Sequence, residues 1–184
     1  MKMAVTSLLC ASALCLAGLN PTPMHGQTAP KAGATEEHVH APAPASTNLT
    51  LTIEGKATTL SIAELQGMPQ TTVRVHNEHT KADETYTGVL VGAILARYGF
   101  PVDKTTHQKM LRSYLVAEGT DKYWVLYSVT EVEGTEHEGN VIVATSMNGK
   151  PLGADGQLKL IDSGDKKPHR WVRNLTAITV KSAE

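Results

Sequence analysis

Residues 141–180 constrain the fold of this chain more than any other stretch. They read V-I-V-A-T-S-M, an Asn-Gly pair, K-P-L, then D-G-Q-L-K-L-I-D, a basic loop K-K-P-H-R-W-V-R and a closing N-L-T-A-I-T-V. A short continuous apolar run bounded by turn residues predicts a buried strand. Asn and Gly both tolerate positive φ, so Asn148-Gly149 predicts a tight turn directly after it. Strands are expected over 141–147, 158–161 and 175–180, with Trp171 at the end of the basic loop.

The rest of the chain must supply the partners of these strands without covalent help. Its two cysteines, Cys10 and Cys15, both fall in the apolar segment 4–19, which follows a basic start at Lys2. That segment has the composition of a secretory signal, expected to span residues 1–26. Export then leaves no disulfide, no thiolate nucleophile and no sulfur ligand for a metal. Contact with a membrane is expected only if the signal stays uncleaved, and the expected location is periplasmic or secreted. Residues 27–47, rich in Ala and Pro, have no hydrophobic periodicity and predict a flexible linker. Residues 48–184 are long enough for one domain with a real core. The net charge of the chain is −1, and removal of residues 1–26 takes away one lysine and no acid. Neither value gives the basic footprint of a nucleic-acid partner.

Within the domain, Leu49, Leu51 and Ile53 alternate with polar residues and predict a strand, followed by a turn at 54–56 and a return strand. Ser61 with Glu64 three residues on is a capping-box signature, and Gly67 and Pro69 stop the helix that it starts. A strand is expected over 71–76, a polar loop over 77–85, and a helix after Tyr86-Thr87-Gly88-Val89-Leu90 with Leu90, Ile94, Leu95 and Tyr98 on one face. Gly99 ends that helix. Further strands are expected over 110–117 and 123–127, then a helical turn at 129–132 and an acidic loop at 133–140. Seven to nine strands and two helices without a repeated βαβ rhythm predict an α+β domain with a mixed sheet or a barrel-like core.

The order of these parts resembles the molybdopterin-binding domain of the sulfite-oxidase-like oxidoreductases, in a short stand-alone form. The resemblance is carried by T-L-S-I-A-E-L-Q-G-M-P (59–69), Y-T-G-V-L-V-G-A-I-L (86–95), A-T-S-M-N-G-K-P-L (144–152), D-G-Q-L-K-L-I (155–161) and H-R-W-V-R-N-L-T-A-I-T-V (169–180). At 155–161 the family usually has Gly-Pro-Leu-Arg-Leu-Val. The resemblance implies a pterin cofactor whose molybdenum takes a cysteine thiolate from a His-Cys pair ahead of the aromatic-x-Gly-Val step. Here that place reads V-R-V-H-N-E-H, with His76 matching the histidine and Asn77 standing for the cysteine. A neutral amide is a poor substitute for a soft anionic thiolate. No thiolate-bound molybdenum is therefore expected, nor oxygen-atom transfer that depends on it. The alternative is a periplasmic molybdopterin-dependent oxidoreductase that works without a protein thiolate ligand.

The candidate cofactor-binding residues are His76, Asn77, His79, Lys167, His169 and Arg170, with Arg74 and Lys166 as further basic groups. His76 and His79 would point to opposite faces of a regular strand. Their spacing is not the His-Glu-x-x-His of a helical zinc site. The basic loop with Trp171 suits a phosphate or carboxylate, or is a solvated loop anchored by the indole. Glu131–Glu138 lacks the ligand order of a calcium loop. No metal ligands and no catalytic residues are assigned. A pterin, another small anionic ligand or a protein partner is expected.

Overall fold

The computed structural model describes residues 43–100, 104–134, 137–153 and 156–183. The segment expected to be a signal, and the expected linker as far as residue 42, lie outside these. Residues 43–47 are described, and they are tied down. Thr120 Oγ1 donates to the Pro44 carbonyl at 2.6 Å, the Ser46 N–H donates to Asn174 Oδ1, and Ser46 Oγ accepts from the Leu158 N–H. The packed chain thus reaches back to Pro44, because Ser46 satisfies backbone and side-chain groups that would otherwise be buried unpaired.

Two open sheets make the domain. The first holds β1 (Asn48–Ile53), β2 (Lys56–Ser61), β10 (Leu175–Ser182), β5 (Ser113–Gly119) and β6 (Trp124–Ser128), in the order β2-β1-β10-β5-β6. β1 and β10 run parallel and the other neighbours antiparallel. The second has β3 (Thr71–Asn77), β4 (Ala82–Leu90), β7 (Val141–Met147) and β8 (Lys150–Pro151) in order, and β9 (Lys159–Asp162) also pairs with β7. No closed barrel forms among the described residues. The result is the α+β class: of the expected alternatives, a mixed sheet or a barrel-like core, the first sheet is mixed.

Among the described residues four short α-helices accompany the sheets: α1 (Ile62–Gln66), α2 (Val91–Arg97), α3 (His107–Leu111) and α4 (Val129–Glu133). Ser61 and Glu64 close the expected capping box on α1. An equivalent box between Ser128 and Glu131 turns the expected single turn at 129–132 into a true helix. α3 overrides part of the strand expected over 110–117. Leu111 ends that helix 58% exposed, and only Ser113, Leu115 and Ala117 continue an inward alternation.

The polar loop expected over 77–85 is instead a hairpin, because β4 begins at Ala82. Its polarity belongs to an outward face on which Arg74 and His76 both bond Asp83 across the strands. Cross-strand pairing of this kind supports a strand with no apolar outer residues. The Tyr-x-Gly step has a steric reason. A Cβ on Gly88 would lie 2.1 Å from the Val143 carbonyl oxygen, at the point where the β4–β7 register shifts.

The second sheet buries both faces. Val89, Val141, Val143 and Leu160 belong to the main core with the first sheet and α2, whereas Val73, Val75, Tyr86, Ile142, Ala144, Ile161 and Trp171 form a second cluster behind it. This two-sided burial is why residues 141–144 read as one continuous apolar run. Asn77, Glu84 and Lys159 are buried polar residues on these same strands, and they make the site.

Candidate functional site

Strand alternation decides which sequence candidates can act together. Along β3 the inward residues are Val73, Val75 and Asn77. His76 points outward, and its Nδ1 lies 2.9 Å from Asp83 Oδ1 with half of each side chain exposed. Asn77, His79 and His169 line a cavity of about 730 Å³, together with Glu84, Tyr86, Lys159, Trp171, Tyr123, Arg173 and neighbouring residues. His76, Lys167 and Arg170 are not among its lining residues. The expected histidine–asparagine pair is therefore split between two faces, as the period-2 geometry of a strand requires.

Asn77 sits in the cavity wall with its amide engaged on both sides. Its Oδ1 accepts from the His79 N–H at 2.9 Å and the Thr80 N–H at 3.4 Å, and its Nδ2 donates to both oxygens of Glu84. Glu84, only 7% exposed, also accepts from Thr80 Oγ1 at 3.0 Å and from the Tyr86 hydroxyl at 2.7 Å. Burial alone would push its carboxyl up. The hydrogen bonds from Asn77, Tyr86 and Thr80, with the charge of Lys159, outweigh that and hold it below the usual glutamate range.

Lys159 is 5% exposed and donates to the Tyr86 hydroxyl at 2.9 Å. Its ammonium lies 4.9 Å from the Tyr86 ring centre and 5.7 Å from that of Trp171, which face each other edge-on. The ring quadrupoles attract the cation and lower the cost of burying it. Trp171 is fixed by its indole N–H, which donates to the Asp162 carbonyl at 3.0 Å. At the rim, the Tyr123 hydroxyl donates to the His169 carbonyl, which ties the 119–123 turn to the basic loop.

Arg170 clamps that loop from outside the cavity. Its guanidinium bonds Asp165, Glu131 and Asp162 and stacks 4.3 Å from the Tyr127 ring centre. The Asp165 contact, foremost among these, raises its pKa further above the usual arginine value. Burial likewise pushes the Tyr127 hydroxyl up. Arg170 thus positions Trp171 and is engaged structurally, and Lys167 is exposed to solvent. Lys159 carried a sequence signal, since it is a charged residue within an apolar strand and stands where the resembling family has Arg. Glu84 carried none, because only the hairpin register turns it inward.

The donor set does not fit a thiolate-bound molybdenum centre such as the resemblance implies for the family. Both polar ends of the Asn77 amide are already bonded within the protein. No cluster of three or more His, Cys, Asp or Glu among the described residues is arranged to hold a metal ion. What the site does offer is a buried cation on an aromatic floor.

A two-sheet α+β domain, with a cavity behind its second sheet lined by aromatic and charged side chains, is what the fold and the site define. No protein-family model matches the chain, and no curated protein matches it. Among solved structures it is similar to the sulfane dehydrogenase SoxCD from Paracoccus pantotrophus, with a TM-score of 0.56 and 18% sequence identity. The match covers 74% of this chain and 39% of that one. The likeness shows a shared fold.

Proposed function

We propose that this chain is an exported binding module that holds a small organic anion, such as a pterin, in the cavity behind its second sheet, without thiolate-dependent oxygen-atom transfer. The observation that carries the reading is the buried Lys159 ammonium at the cavity, braced by Tyr86 and Trp171. Lys159 lines the cavity, which places a cationic side chain where a bound anion meets it. The cavity volume falls within the range of small-molecule sites, about 300–1,000 Å³. Arg173 and the imidazoles of His79 and His169 add further donors to its lining. The engaged amide of Asn77 supports the absence of thiolate chemistry, and the apolar segment 4–19 supports export.

The test uses protein purified from its native export route. Elemental analysis and pterin fluorescence are measured first. Stoichiometric molybdenum or tungsten would overturn the binding-module reading and favour an oxidoreductase working without a protein thiolate. In a Trp124→Phe background, which leaves Trp171 as the single indole of the chain, added organic anions should change its fluorescence saturably. Lys159→Met should abolish that response.

A further inference from the structure

β6 is the last strand of the first sheet, and no described strand pairs with its far edge. The Gly119 N–H donates to the Tyr123 carbonyl, so the ladder with β5 takes the backbone groups of Tyr123, Val125 and Tyr127. Trp124, Leu126 and Ser128 therefore turn their N–H and C=O groups away from β5. The Ser128 N–H donates to Glu131 Oε2 at 2.8 Å. Among the described residues no backbone partner meets Trp124 and Leu126 on that edge, and their side chains are 61% and 50% exposed. Sheet edges are usually blunted by charged side chains, proline or a bulge. The other edge strands follow that rule: β3 shows Arg74 and His76 to solvent, β2 shows Lys56, and β8 ends at Pro151. β6 reads W-V-L-Y-S, with neither charge nor proline, and its register with β5 is unbroken. Half-buried Tyr114 and Val116 of β5 extend its apolar outer face.

A second copy of the same strand, laid antiparallel, fits this edge in one register. Edge-facing residues must meet edge-facing residues. With Trp124 opposite Leu126 of the second copy, the two exchange both backbone hydrogen bonds, and the two-fold axis repeats the exchange. Each indole then packs across the strands on a leucine. Val125 meets its own counterpart on the axis, as a pair without hydrogen bonds. A slide of two residues one way sets Trp124 against Ser128, whose N–H is already taken. A slide the other way sets Leu126 against Lys122, which lies in a turn with φ at 67°. The charges agree with the favoured register. Lys122 comes level with Ser128 of the second copy, beside the Glu131 carboxylate that caps it. Its present pair with Glu118 is solvent-exposed, so little opposes the exchange. We infer that the chain forms a two-fold dimer by pairing β6 with β6 of a second copy, which joins the two first sheets into one. The inference is independent of the anion-binding reading.

The experiment is analytical ultracentrifugation of the full chain from about 1 μM to about 0.5 mM. A reversible monomer–dimer equilibrium in the micromolar range is expected, because the interface is small. Leu126→Pro removes an N–H that β5 does not use, and Trp124→Lys sets a charge on the edge. Each should weaken dimerisation at least about tenfold, with an unchanged far-ultraviolet circular dichroism spectrum. Trp124→Lys alters only an exposed side chain, so it decides the matter even if Leu126→Pro does not fold. The register is checked by mild oxidation of Val125→Cys, which should give a disulfide between copies at position 125, read by peptide mass spectrometry. Leu126→Cys should link more slowly, because its counterpart lies on the diagonal. A chain that stays monomeric throughout overturns the inference, even if a strand from a different protein binds the edge. So does a dimer that both Trp124→Lys and Leu126→Pro leave unchanged, or one that neither cysteine variant links.

Discussion

The Lys159 ammonium lies 2.9 Å from the Tyr86 hydroxyl and 4.9 Å from the centre of the same ring. One tyrosine thus stands between two charges, its oxygen accepting from the ammonium while its own proton goes to Glu84. Replacing Lys159 with Met preserves most of the volume and removes the charge. The expected outcome is loss of at least about tenfold in affinity for an organic-anion probe, benzenesulfonate, with an unchanged far-ultraviolet circular dichroism spectrum. Retained affinity would show that the anion is held elsewhere.

Asn77 joins the 77–81 turn to Glu84. Asn77→Ala leaves two turn N–H groups and one carboxylate short of a partner, at a cost of about 1–3 kcal/mol in urea unfolding. Asn77→Cys should be destabilised similarly. Its thiol should react with a small thiol reagent more slowly once benzenesulfonate fills the cavity, which peptide mass spectrometry can follow at this position. Equal rates with and without the anion would place residue 77 apart from the ligand.

The depressed pKa of Glu84 fixes a sign for the pH dependence. A carboxylate held below its unfolded value stabilises the fold fully above that value. The contribution is lost as pH falls through the depressed folded value. Melting temperature measured from pH 7 down to pH 3 should therefore fall more steeply for the unmodified chain than for Glu84→Gln. Parallel curves would mean that this carboxylate is not what couples folding to pH.

Arg170 bonds three carboxylates and stacks on Tyr127. Lysine cannot reproduce the planar fork. Arg170→Lys should cost about 2 kcal/mol, a discounted value because the side chain is partly exposed. It should also weaken probe binding indirectly, by loosening Trp171. Denaturant unfolding checks the first effect and Trp171 fluorescence the second.

His76 provides the contrast. Its bond to Asp83 is half exposed, so His76→Ala should change stability by less than about 1 kcal/mol and leave probe affinity unchanged. A large loss of affinity would mean that the outward face of β3 takes part in the site.

The elements that read clearly from the sequence are those with local causes. The Ser61–Glu64 box, the Gly99 stop with φ at 94°, and the Asn148-Gly149 turn with φ values of 51° and 73° each follow from residues within a few positions of one another. The 77–85 hairpin did not, because its polar outer face carries no apolar alternation. The register that pairs His76 with Asp83 exists only once the strands meet. α3 was obscured because Leu111 looks like a strand residue until its exposure is known.

The sequence alone determined that the chain beyond Cys15 has no thiol, and where the Ser61–Glu64 capping box and the Asn148-Gly149 turn fall. These are properties of residue type and spacing. Tertiary structure decided that His76 and Asn77 part company, that Arg170 clamps a loop, and that Glu84, Tyr86 and Lys159 converge on one cavity. Residues 84 and 159 are brought together by two different strands of one sheet, and such long-range register is set by the packing of two cores against the same sheet, which no local pattern encodes.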